Sequence, residues 1–189
     1  MVRETDLSFD LNEEMLERLG KEFDPQAVVD RFARAIDGKA ARAVEKAGRE
    51  VFGGYGRELM KRSIQLGEEY PDRTYDVLKK AAARSDVFRF PLFPQRALEI
   101  AYLSTQPIMN LRVLVNNLQQ LSYRLDECVI FAALKEKSDE KVAGLMACRH
   151  ACLAACDTAF AELTSVPFRT QMEASMAKEG YCRFTVRRQ

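Results

Sequence analysis

Leu111-Arg-Val-Leu-Val115 and Leu121-Ser-Tyr-Arg-Leu125 stand on either side of Asn116-Asn117, and this stretch decides the fold class. β-Branched and alternating apolar residues favour a pleated strand, and an Asn pair tolerates the backbone of a tight turn. The stretch therefore predicts an antiparallel hairpin, with a helix over 107–120 as the alternative. Upstream of it the apolar residues recur at helical intervals instead, so the chain reads as α+β and mostly helical, with its sheet in the C-terminal half.

Working backward, Asp24-Pro25 pairs an N-cap with a residue preset for a first helical turn. Val28, Val29, Phe32, Ala33 and Ile36 then form one stripe, ending near Gly38. Asp10 and Glu13 have capping-box spacing ahead of Met15, Leu16 and Leu19, a short first helix running to Gly20. From Lys39 to about Leu66 a long helix, or two in near-continuity, carries Gly48, Gly53, Gly54 and Gly56. Each costs about 1 kcal/mol relative to Ala, so they serve kinking or close packing, with close approach by another helix as the first reading and contact with a ligand as the second. Tyr70-Pro71 breaks the chain, and Tyr75, Val77, Leu78 and Ala81 predict another helix. Phe88-Arg-Phe-Pro-Leu-Phe-Pro94 is an aromatic loop, either a plug at the core edge or a pocket lining, and residues 95–103 resume helical character.

Working forward, Cys128 opens an apolar run, and residues 135–141 are charged enough to read as a solvated connection into one helix over about Glu140 to Leu163. After Pro167, residues 168–172 and 181–186 predict a second hairpin, with Gly180 supplying a positive φ. There is no repeat or linker composition, so residues 1–189 read as a single domain, helical over 1–106 and mixed over 107–189.

Met146-Ala-Cys148-Arg-His150-Ala-Cys152-Leu-Ala-Ala-Cys156-Asp157 places three thiols at i, i+4 and i+8. Each step turns a helix by about 40°, so the three share one face, while His150 falls roughly 200° away from its cysteine neighbours. Three chemistries fit. Cysteine packs well as a small apolar residue. Soft thiolates also bind zinc or an iron centre, given donors from further elements, with Cys128 and Cys182 available to join Cys148, Cys152 and Cys156. A nucleophilic thiolate is the third, and its only histidine partner is His150. Phe88, Phe90, Phe93 and Tyr123 are the candidate contacts for a small apolar or aromatic molecule.

The C-terminal half, about residues 110–187, resembles the vinyl-reductase-like small-molecule-binding domains and the related aminothiazoline-carboxylate hydrolase-like proteins. Leu125-Asp-Glu-Cys128, Cys156-Asp157, Phe168-Arg169 and above all Gly180-Tyr-Cys182-Arg-Phe184 carry the resemblance. It implies an α+β fold that forms a homodimer around a mostly apolar cavity, in some members beside a zinc held by cysteines and one carboxylate. Cys182 matches the final thiolate of that pattern. Gln171 and Ala174 stand where the pattern has Glu and Cys, so a metal here needs a thiol from the cysteine helix.

Composition bounds the rest. Twenty-nine Lys and Arg balance 28 Asp and Glu, which leaves no net field to gather a polyanion and argues against nucleic acid; Arg187-Arg188 reads as a solvated chain end. The longest apolar runs fall well short of the roughly 20 residues of a membrane span. Five cysteines, with acids and no apolar core in the first residues, suit a reducing, cytoplasmic setting.

Overall fold

The structure is a computed structural model that describes residues 17–38, 41–69, 109–117, 119–164 and 166–189. The capping box at Asp10 and Glu13, the helix expected after Pro71, the aromatic loop with Phe88, Phe90 and Phe93, and the helix at 95–103 lie outside those residues.

Residues 17–22 are helical, two positions beyond Gly20, and the chain closes on Phe23 N–H donating to Leu19 O. Helix α1, Pro25–Ile36, starts where Asp24 predicts, its carboxylate accepting from Gln26 N at 2.9 Å. Val28, Val29 and Phe32 face inward, and Phe32 packs on Phe52 with ring centroids 4.7 Å apart. Helix α2, Ala41–Glu69, is the long helix the periodicity requires, burying Val44, Phe52, Leu59 and Leu66 among others.

The hairpin is present as β1, Met109–Asn116, and β2, Gln120–Cys128. Its turn is held by Asn117, whose Oδ1 accepts from Gln119 N and Gln120 N at 3.0 and 2.9 Å. The run after Cys128 departs from expectation. Val129–Lys137 forms helix α3, with Ile130, Phe131 and Leu134 buried and Lys135 and Lys137 in its last turn, where cations suit the helix dipole. Burial of those apolar residues extends the helix through the charged positions, so the connection shrinks to Ser138 and Asp139.

The single helix expected over 140–163 is two. Asp139 caps α4, Glu140–Gly144, and α5, Arg149–Leu163, begins after a turn in which Met146 adopts φ 54°. Gly144 weakens helical continuity, and the turn buries Met146, Ala147 and Cys148, which a straight helix would not bring inward together. Leu145, expected within the apolar stripe, is left exposed.

The second hairpin joins β3, Phe168–Ala174, to β4, Cys182–Arg188, through a short helical turn, α6, Met176–Glu179, capped by Gly180 at φ 74°. Both hairpins combine in one antiparallel sheet of order β1-β2-β4-β3. The register sets Leu121, Tyr123 and Leu125 beside Val186, Phe184 and Cys182 on the face toward α5. Period-two alternation sends Ser122, Arg124, Arg183, Thr185 and Arg187 to the other face. Arg187 is thus a sheet residue paired with Glu173 at 2.8 Å, and not only a chain end.

Helix α5 crosses α2 at the distance glycine permits. A Cβ on Gly56 would lie 2.1 Å from Ala151 O, and one on Gly48 would lie 2.9 Å from Ala147 Cβ. Close helix approach thus explains two of the four glycines. Gly53 has only the flexible tip of Arg57 nearby, and Gly54 likewise.

Candidate functional site

Helix α5 holds Cys152 and Cys156 against the inner face of the sheet. Cys148 keeps helical dihedrals as the residue capping α5, so the i, i+4, i+8 alignment survives the break that precedes it. Cys128 arrives from the end of β2 and Cys182 from the start of β4. Cys148 and Cys182 are buried, while Cys128, Cys152 and Cys156 are partly buried and packed against the core. All five are free thiols.

Burial sets the protonation of all five. Burial pushes the Cys152 thiol far up, and negative charge on Cys128, Cys156, Cys148 or Cys182 would push it further. Cys148 behaves in the same way, with Cys128 and Cys182 as its neighbours. Cys156 is raised to about 12 by burial, only partly relieved by Tyr123 Oη at 2.9 Å from its sulfur. Cys182 is raised to about 11, again chiefly by burial, although Met176 N–H donates to its sulfur at 3.3 Å. Cys128 is raised as well, against the opposing backbone N–H groups of Phe131 and Ile130. Thiols delivered by β2, β4 and α5 thus pack in or against one apolar core cluster, and burial keeps them neutral at ordinary pH.

Two tyrosines border it. Tyr123, one of the residues singled out from sequence, is buried, stacks on Phe184 with centroids 5.5 Å apart and meets Cys156 through its hydroxyl. Its pKa is raised well above 10.0 by burial, then by Cys156 and Cys152. Tyr55 of α2 donates to Phe23 O at 3.0 Å, and its pKa is raised by burial, by Asp24 and by Cys128 and Cys152. The sequence reading missed Tyr55, because its place in the helical stripe of α2 looks like that of any core residue.

His150 points away from the thiols, as its angular position requires. It instead meets Glu45 of α2, with Nε2 at 3.0 Å from Oε1. Arg149 Nη2 donates to both Glu45 oxygens, at 2.9 and 2.8 Å, and Arg49 Nε donates to Oε1 at 3.2 Å. Arg149 also donates to Leu145 O and Met146 O, pinning the turn before α5. Burial alone would raise the Glu45 carboxyl, yet hydrogen bonds from Arg149 and His150 and the charge of Arg149 outweigh it and hold it below its usual value. His150 moves down: burial and Arg149 outweigh its hydrogen bond to Glu45. Glu45 and Arg49 were not singled out from sequence, because the residues that Glu45 meets outside its own helix are set by the tertiary fold.

Chemically, these thiols are not activated for attack. A thiolate nucleophile needs a base or a positive field to lower its pKa, whereas the net shift on each of these five thiols is upward and the one histidine is committed to Glu45. Among the described residues, no three His, Cys, Asp or Glu side chains are grouped closely enough to hold a metal ion. No helix among them is long and apolar enough to cross a membrane. No protein-family model, curated protein or solved structure matches the chain.

Proposed function

We propose that the chain is a binding domain whose thiol-lined space, between α5 and the inner face of the sheet, takes a small, largely apolar molecule or a thiophilic metal-bearing cofactor. One observation supports the reading: Cys128 of β2, Cys182 of β4 and the three cysteines of the α5 segment all pack in or against one apolar core cluster that includes Tyr55 and Tyr123, with no base directed at them. Neutral thiols are soft, weakly polar surface, suited to apolar and aromatic contact. They remain able to lose a proton to a thiophilic metal, which supplies the charge that burial otherwise disfavours. The resemblance of residues 110–187 to vinyl-reductase-like domains supports the same reading, since it implies an apolar cavity.

The test is a pair of titrations of the reduced full chain, one with an anilinonaphthalene dye and one with Co(II). The reading expects either one equivalent of dye, displaced when Cys152→Phe fills the space, or thiolate-to-cobalt absorption that disappears in Cys152→Ala. A folded chain that takes up neither would leave the cysteines as packing and end the proposal.

A further inference from the structure

The opposite face of the sheet has a different chemistry. Arg112 of β1 sits beside Arg124 of β2, which sits beside Arg183 of β4, so three arginines form one transverse row. In a second row Arg187 lies beside Arg169 of β3. Neighbouring strands are about 4.8 Å apart, and like charges directly opposite one another destabilise a sheet. Two carboxylates offset this incompletely. Asp126 lies 2.5 Å from Arg124 and 3.6 Å from Arg112, while Glu173 lies 3.2 Å from Arg183 and 2.8 Å from Arg187. Four guanidinium groups thus share two carboxylates, with Arg169 in addition. The side chains of Arg112 and Arg187 remain 67% and 52% exposed, so the donors they do not already spend on Asp126, Glu173 and Gln120 are open to a partner, while Ser122 and Thr185 between the two rows are buried.

We propose that this arginine face docks an acidic segment of a partner protein. Asp126 and Glu173 already show the local rule, each carboxylate lying between two arginines, and side-chain carboxylates from outside would continue that alternation. Guanidinium forks match carboxylates in planar, paired geometry. A nucleic acid fits less well. The Tyr181 ring that could stack a base has the Arg124 guanidinium 3.8 Å over its centroid, and the chain's net charge of +1 draws in no long polyanion. The surface lies across the sheet from the thiol-lined space and does not depend on it.

Fluorescence anisotropy of a labelled oligoglutamate, titrated with the full chain, tests the proposal. Binding is expected at low salt and should weaken as salt screens the contacts. The Arg112→Ser/Arg187→Ser double variant should bind about tenfold more weakly, the size expected for two exposed charge contacts, while Lys46→Ser on α2 binds as the parent does. A thermal melt establishes that the double variant is folded, and Arg112→Ser alone serves if it is not. No binding at low salt, an equal loss in Lys46→Ser, or tighter binding of a single-stranded oligouridylate of the same charge would each overturn it.

Discussion

Helix α5 makes two contacts out of similarly small residues, and they are used in opposite ways. Toward α2, Ala151 sets its backbone against Gly56, Ala147 in the turn before α5 sets its Cβ against Gly48, and Glu45 is held in place by Arg149 and His150. Toward the sheet, the Cys156 thiol meets the Tyr123 hydroxyl side chain to side chain, and Cys152 packs against the same core cluster. The first contact has no slack, because a helix backbone cannot yield where it is touched. The second is lined by polarisable side chains that can shift or change protonation. The difference assigns rigidity to one side of α5 and adaptability to the other.

The sharpest way to break the comparison is to add one methyl group on the α2 side. Gly56→Ala places a carbon on the Ala151 carbonyl and should cost about 3 kcal/mol or prevent folding, since overpacking against backbone has no cheap relief. Gly53→Ala, on the same helix but facing only Arg57, should stabilise by roughly 0.5–1 kcal/mol through helix propensity. Denaturant unfolding of the pair separates the two; equal effects would mean that the close approach is not what Gly56 serves.

On the sheet side, Cys156→Ala leaves the buried Tyr123 hydroxyl without its partner and should cost about 1–3 kcal/mol. Tyr123→Phe combined with Cys156→Ala should cost less than the two single changes together, because the interaction is lost only once. Strict additivity in that cycle would show the contact to be energetically idle.

The smallest expected effect is on pH dependence. The folded pKa of His150 lies below the 6.5 of a free histidine, so the unfolded chain takes up a proton that the folded chain resists. Its contribution is complete above about pH 6.5 and is lost as pH falls from there toward the lower folded value. His150→Gln should therefore flatten the fall in stability below that pH, and an unchanged slope would remove His150 as its source. The Glu45 carboxyl adds a loss at lower pH still, since its own pKa is depressed.

What could be read without coordinates follows a physical boundary. The start of α1 was legible because Asp24 and Pro25 act on their own neighbours, and the first hairpin because Asn117 closes its turn with its own side chain. The shared face of Cys148, Cys152 and Cys156 followed from helix geometry alone, as did the exclusion of His150 from that face. The turn at Met146 was not legible: its positive φ is favoured by no local residue and is imposed by burying Met146, Ala147 and Cys148 together. Nor was the helix over Val129–Lys137, whose apolar half is stabilised by packing and whose charged half imitates a loop.

The sequence by itself therefore determined the elements whose signals span a few residues: caps, stripes, turns and the spacing of thiols on one helix. The tertiary structure alone decided which surfaces meet. It brought β4 against β2, Glu45 to a histidine 105 residues away, and Cys128 and Cys182 to the same core cluster as the cysteine helix. Such contacts depend on the packing of the whole core, and period and propensity, which act over one or two turns of chain, carry no information about a partner a hundred residues distant.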